Sequence, residues 1–262
     1  MQSTGRERKA GTRGASGARA LGSSLIAVVL VACASAGRPP PAPPATLSRV
    51  EVAVTNPDAR VVGRALPDAV ALIDRHGLRL TATTTVEVAP DEASFRASTG
   101  QAAPAVLRAW TTFRTITFMP LSTWSDSKGP AVVARLAHEL CHAAIYQSFG
   151  TEERARGAQI PRFFEEGVCS VVAGQKRMPR DELLARAPAQ PFDAALFSND
   201  PDVAYAAAHH ALALVEHQRG QGAFARILRA AAEDGAPGCV ERALEKEMGV
   251  DPPGLWRLVL GS

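Results

Sequence analysis

The chain has no internal repeat, no apolar run long enough to make a stable membrane-spanning helix, and little net charge once its first 32 residues are set aside. Over the whole sequence Lys+Arg number 29 and Asp+Glu 26; beyond residue 32 they number 24 and 25, so the net charge falls from +3 to −1. The basicity therefore belongs to the N-terminus. Elsewhere basic residues are scattered among acids, which excludes a nucleic-acid-binding face. Cysteine is scarce, with only Cys33, Cys141, Cys169 and Cys239. The last three lack the paired spacing of a cysteine zinc site, and their odd number permits at most one internal bridge in an oxidising compartment. Histidine is also rare, with six in all.

What is present starts with an address. Arg6, Arg8, Lys9, Arg13 and Arg19 precede the short apolar run Leu21 to Ala32. That run falls short of the roughly 20 residues a spanning helix needs and fits the core of a signal peptide. It ends Leu30-Val31-Ala32-Cys33, which resembles the lipobox of bacterial lipoproteins. The resemblance implies that 1–32 is removed and that Cys33 carries the lipid. Ala34 rather than Asp follows it, which in Gram-negative lipoproteins implies passage to the outer membrane, facing the periplasm or the surface. Residues 33–48 include Pro39, Pro40, Pro41, Pro43 and Pro44, a composition that favours extended polyproline II and suits a stiff tether. Residues 49–262 are long enough for one domain of two lobes.

Along that domain the periodicity changes once. Residues 50–54 alternate as a strand stopped by Asn56-Pro57, and 67–76 has helical spacing closed by Gly77. Residues 81–88 read as a strand, Asp91 as the cap of a short helix carrying Phe95, and 110–119 as a further strand ending at Pro120. Residues 122–129 are a polar loop. From Pro130 the apolar positions Val132, Val133, Leu136, Leu140, Ala144 and Ile145 mark a long helix. Residues 148–159 read as a polar loop. Helices are then expected over 162–173, 203–218, 221–233 and 240–247, with a last one around Trp256. Strands first and helices later predict an α+β fold, an N-terminal sheet lobe followed by a helical lobe.

The long helix carries His138-Glu139-Leu140-Cys141-His142, an HExxH pentad. Positions four apart lie about 40° apart around a helix, so His138 and His142 can face one zinc ion. Glu139, on the same turn, is placed to take a proton from the water that zinc activates. A zinc held by two histidines needs a third protein ligand, with one position left open.

The segment Phe163-Phe164-Glu165-Glu166-Gly167 follows 20 residues later, and here the chain resembles the gluzincins, the thermolysin-like and aminopeptidase-like zinc peptidases. In that family an aromatic-x-x-Glu-Gly segment on a downstream helix supplies the third ligand. The resemblance implies Glu166 as that ligand, with Phe163 at a position often held by Trp. Glu165, 100° away around the helix, is expected to face elsewhere. The 23 residues between His142 and Glu166 exceed the aminopeptidase spacing, by the stretch 150–159. Tyr205, followed by an apolar helix, Gly220 and Phe224, matches the aminopeptidase tyrosine that donates to the oxyanion. Ala207-Ala208 stand where that branch has Lys-Gly; His209 and His210 read as ordinary helix residues, with either as an alternative to Tyr205. The sheet lobe, with 86–90, Phe95, Thr99-Gly100 and 115–118, together with the end from Met248-Gly249 to Trp256, resembles small bacterial "peptidase MA-like" proteins. The motif that anchors a substrate's amino terminus in the large aminopeptidases is missing.

The resemblance implies a zincin catalytic domain, thermolysin-like, binding one Zn2+ through His138, His142 and Glu166. It implies peptide hydrolysis with Glu139 as general base and Tyr205 as oxyanion donor, on a peptide or protein substrate paired along the edge strand 115–119. The alternative is a non-catalytic envelope lipoprotein that keeps the fold as a binding or assembly module; oligomeric state is left open. Cys141 and Cys169 each lie three residues beyond an implied ligand, where the family has small residues, on helices that must converge to share a metal. A Cys141–Cys169 disulfide is therefore expected, with Cys239 left unpaired.

Overall fold

The computed structural model describes residues 47–100, 108–175, 177–186, 192 and 196–261. The signal peptide over 1–32, the lipid-bearing Cys33 and nearly all of the tether lie outside the described residues.

The described chain is a mixed α+β fold, mostly helical, around one small four-stranded sheet. Strand β1 (Val50–Val52) leads through helix α1 (Pro57–Arg75) to β2 (Thr84–Val88), which pairs with β1 in parallel. Asn56-Pro57 not only ends the strand but starts the helix. Asn56 Oδ1 accepts from Ala59 N at 2.9 Å, and proline costs nothing at the first helical position. The Asn56 amide also donates to Val88 O at 2.8 Å, tying this helix start to the end of β2. Helix α1 starts ten residues before its 67–76 signature because Pro67, which reads as a helix start, lies inside it. An internal proline costs about 3 kcal/mol. The buried stripe Val62, Ala65, Leu66, Ala69, Val70 and Ile73 outweighs that.

Asp91 caps α2 (Glu92–Thr99) by accepting from Ser94 N, and Phe95 of α2 is fully buried. The β-rich run 110–119 is a hairpin rather than one strand. Strand β3 (Ala109–Thr111) turns at Thr112, whose Oγ1 accepts from Thr115 N at 3.0 Å, into the antiparallel β4 (Thr115–Phe118). The sheet order is β1-β2-β4-β3, with β4 parallel to β2. This corrects the expected edge: Thr115–Phe118 is interior, and Ala109–Thr111 is the edge on that side of the sheet, β1 being the other edge.

Helix α3 (Gly129–Ser148) packs on α1 and meets β3 and β4. Its fully buried Gln147 locks it to the sheet. Oε1 accepts from Thr81 N and Ala82 N, and Nε2 donates to Thr84 Oγ1 and Phe113 O, all within 2.7–2.8 Å. Every polar atom of that amide is paired, so burying it carries no unmet hydrogen bond. The polar stretch 148–159 holds a short helix, α4 (Glu152–Ala158), capped by Thr151 and buried through Ala155 and Ala158. Helix α5 (Arg162–Val172) follows, then the short α6 (Arg180–Ala185) and α7 (Leu196–Asn199). Four more complete the chain: α8 (Pro201–Arg219), α9 (Ala223–Asp234), α10 (Cys239–Met248) and α11 (Pro252–Leu260). Helix α5 lies between α3 and α8. Among the described residues no helix is long and apolar enough to cross a membrane.

Candidate metal centre

Two helices and one glycine assemble the site. His138 and His142 stand one turn apart on α3, both buried, with their Nε2 atoms 3.1 Å apart. Glu166 reaches them from α5, its Oε2 lying 3.3 Å from His138 Nε2 and 3.7 Å from His142 Nε2. Gly167, directly after Glu166, faces α8 so closely that a Cβ there would meet Ala208 O at 2.6 Å and Leu212 Cδ2 at 2.9 Å. Only glycine allows that approach, which gives the Glu-Gly pair a packing reason. It also places the backbone of Ala208 in the contact with α5. On the α3 side, Cys141 and Cys169 are joined in a disulfide with Cα atoms 5.3 Å apart, and Cys239 is a buried free thiol.

The three ligand atoms fit a metal ion. Tetrahedral zinc with bonds of about 2.0–2.2 Å holds its ligand atoms roughly 3.3–3.6 Å apart. The observed separations of 3.1, 3.3 and 3.7 Å bracket that range. Two imidazole nitrogens directed at each other and at a carboxylate oxygen supply the neutral-nitrogen and anionic-oxygen donors that zinc takes. Neither His138 Nδ1 nor His142 Nδ1 has a hydrogen-bond partner among the described residues, so neither ring is committed to a different tautomer. Electrostatically the group behaves as an ion pair. Burial works against a charged His142, but the hydrogen bond and charge of Glu166, with help from Glu139 and Glu165, raise it to about 9. Burial likewise works against the Glu166 carboxylate, yet hydrogen bonds and charge from both histidines hold it well below the usual range.

The cleft in front of this triad has a volume of about 930 Å³, walled by α3, α5, the start of α8 and the edge strand β3. Glu139 lines it, and Thr111 of β3 donates from Oγ1 to Glu139 Oε2 at 2.6 Å. Tyr205 also reaches it. Its hydroxyl donates to Glu166 Oε1 at a long 3.4 Å, accepts from Arg162 at 3.3 Å, and its ring packs edge-on against Phe197. His209 and His210 do not line the cleft. The first pairs with Ser170 Oγ at 3.1 Å, and burial pushes it down to about 4; the second reaches Met178 O at 2.9 Å. Phe163 is buried and stacked on Phe192 at 4.3 Å.

Glu165 departs from expectation, since it lines the same cleft as Glu166. An offset of 100° does not turn it away because α5 opens onto the cleft with its first turn. There Glu165 hydrogen-bonds Tyr146, and burial, with the nearby Glu166 charge, raises it to about 7. Tyr146 itself had a legible signal, for it lies four residues beyond His142 and stacks on that ring at 6.3 Å. Both tyrosines of the chain thus line the cleft. Thr111, Arg135 and Arg177 line it too, and no motif marks them. No protein-family model, curated protein or solved structure matches the chain.

Proposed function

We propose that this chain is a zinc-dependent hydrolase of the gluzincin type with a thermolysin-like zincin domain, and that it cleaves peptide bonds. The observation that carries the reading is the convergence of His138, His142 and Glu166, whose ligand atoms lie within 4.8 Å of one another, beside a roomy cleft that Glu139 also lines. His138 Nε2, His142 Nε2 and Glu166 Oε2 would hold one Zn2+. A zinc ion there would supply Lewis acidity, making water acidic near neutral pH and polarising a carbonyl.

The remaining steps belong to the side chains. Thr111 occupies Oε2 of Glu139, which leaves Oε1 to take the proton as water attacks the scissile carbonyl and to hand it on to the leaving amine. The same hydrogen bond fixes the rotamer of the base. Tyr205 holds its proton toward Glu166 Oε1 through a weak, long bond, from which it can turn to the oxyanion of the substrate. An extended peptide or protein substrate would pair along the edge strand β3. The sequence of residues 1–46 supports a bacterial envelope lipoprotein anchored through Cys33, in the outer membrane facing the periplasm or the surface.

The test is zinc content measured beside peptide hydrolysis in the wild type and in Glu139→Gln. Hydrolysis should fall by about 10²- to 10⁴-fold while zinc content and melting temperature stay near wild type. Undiminished hydrolysis removes Glu139 as the base. Bound zinc with no hydrolysis by the wild type favours the non-catalytic binding or assembly module.

A further inference from the structure

Two guanidinium groups in the cleft make no direct ion pair with an acid among the described residues. Arg135 is on α3, four residues before Glu139 and three before His138, so it leaves the same flank of the helix one turn upstream. Its guanidinium lies over the Trp124 ring at 4.7 Å, and it makes no hydrogen bond or ion pair with the described residues. Arg177, just beyond α5, donates to Ser170 Oγ at 2.8 Å and to Gln175 Oε1 at 2.5 Å, and lies over the Tyr205 ring at 5.0 Å. All of those partners are neutral. Two other cleft arginines are matched by acids: Arg156 pairs with Glu152, and Arg162 lies 4.0 Å from Glu166.

Half-burying a cation without a contacting carboxylate costs free energy, and two of them near each other cost more. Burial holds both arginines below their ordinary value; at Arg135 the charge of Glu139 opposes this while Arg108 and Arg177 add like charge, and at Arg177 Glu166 and Asp202 oppose it without touching the guanidinium. The aromatic faces of Trp124 and Tyr205 offset part of this cost and fix where the charges sit. A ligand anion would offset the rest, and guanidinium is the side chain best matched to a planar carboxylate. The position is close to the chemistry. Three residues of helix raise Arg135 about 4.5 Å from His138, and Arg177 touches the tyrosine that touches Glu166. A peptide residue spans roughly 3.3–3.6 Å, so an anion held here lies within one or two residues of the metal triad.

We propose that Arg135 and Arg177 form a carboxylate subsite of the cleft, which selects substrates bearing a carboxylate within one or two residues of the scissile bond. The substrate class rests on the hydrolase reading; the subsite is a binding property that can be measured without turnover. The carboxylate is either the free C-terminus of a peptide or an Asp or Glu side chain, and the two present the same group to the arginines.

The experiment uses the full-length protein loaded with zinc and carrying Glu139→Gln to prevent cleavage. Calorimetry compares three N-acetylated hexapeptides: one with a free C-terminal carboxylate, the same peptide as its C-terminal amide, and that amide with one interior Glu. At least one carboxylate peptide should bind about tenfold tighter than the neutral amide, and which one does so identifies the source. Adding Arg135→Gln or Arg177→Gln should collapse that ratio toward one, while Arg135→Lys should keep part of it. Because the ratio is taken within one protein, a general loss of stability does not mimic the result. Equal binding of all three peptides, no binding of any, or a ratio that survives both substitutions overturns the subsite. Hydrolysis by the wild type is scored separately. Carboxylate-selective binding without cleavage keeps the subsite and removes the peptidase reading. Equal cleavage of the neutral amide keeps the peptidase and removes the subsite.

Discussion

The two walls of the cleft are built to different standards. The wall of α3 and α5 holds the histidines and Glu166, and it is cross-linked, close-packed and buried. Cys141 is bonded to Cys169, Gly167 lies against the backbone of α8, and Gln147 fastens α3 to the sheet through four hydrogen bonds. The wall of β3 is three residues long, has a sheet partner on one side only, and leaves Trp110 36% exposed. The hydrogen bond from Thr111 to Glu139 joins the two walls at the candidate base. Ligand atoms must be held to a few tenths of an ångström, whereas a surface that receives an extended chain needs an open edge. The stiffness is concentrated where coordination would require it.

Breaking the cross-link should have the largest effect. The disulfide closes a loop with a sequence separation of 28, for which chain entropy gives about 3 to 4 kcal/mol. Cys141→Ala with Cys169→Ala should lower the melting temperature accordingly and weaken zinc retention; an unchanged melt would show that packing alone holds the ligand wall. Gly167→Ala should cost about 2 to 3 kcal/mol, because its Cβ meets a backbone oxygen that cannot swing aside. A denaturant titration measures it, and a neutral result would remove the α5–α8 contact as a reason for the glycine.

Protons test the same wall. In the metal-free state His142 is raised to about 9 from 6.5, so its contribution to stability is complete below pH 6.5 and lost as pH rises through about 9. Glu166 is depressed below 4.5, so its contribution is complete above pH 4.5 and lost as pH falls. Melts of metal-free protein should therefore show this pair at full strength between pH 4.5 and 6.5. Zinc must displace the His142 proton, so apparent zinc affinity should climb by about tenfold per pH unit from 7 toward 9, with one proton released per ion. A flat profile would mean that His142 is neutral before metal arrives.

The smallest effect is expected at the joint between the walls. Thr111→Val removes a donor to Glu139 Oε2 and should cost about 1 kcal/mol or less in stability. The base then loses the contact that orients it, so hydrolysis should fall by about fivefold or less while zinc content stays near wild type. Unchanged hydrolysis would leave Thr111 with a purely structural part.

Much of the ligand wall is legible in the sequence because it is local. Four-residue spacing puts His138 and His142 on one face whatever surrounds the helix, and the same spacing adds Tyr146. Asp91 and Asn56-Pro57 announce helix starts through hydrogen bonds within three residues. Glu166 is legible only through resemblance, since nothing local distinguishes it from Glu165, and both carboxylates in fact open onto the cleft. The β3 wall is not legible in this way. A β-rich run does not disclose that it folds back at Thr112, nor which of its halves takes the interior of the sheet.

The sequence by itself therefore determined the helix faces, the caps and the residue types that can bind a metal, all of which follow from periodicity and short-range hydrogen bonding. Tertiary structure alone decided that Pro67 is carried inside α1, that β3 rather than β4 is the edge, that Glu165 looks inward, and that Arg135 and Arg177 meet in one cleft. Those outcomes depend on which elements pack together. That is settled by burying apolar area across the whole core, and no stretch of ten residues encodes it.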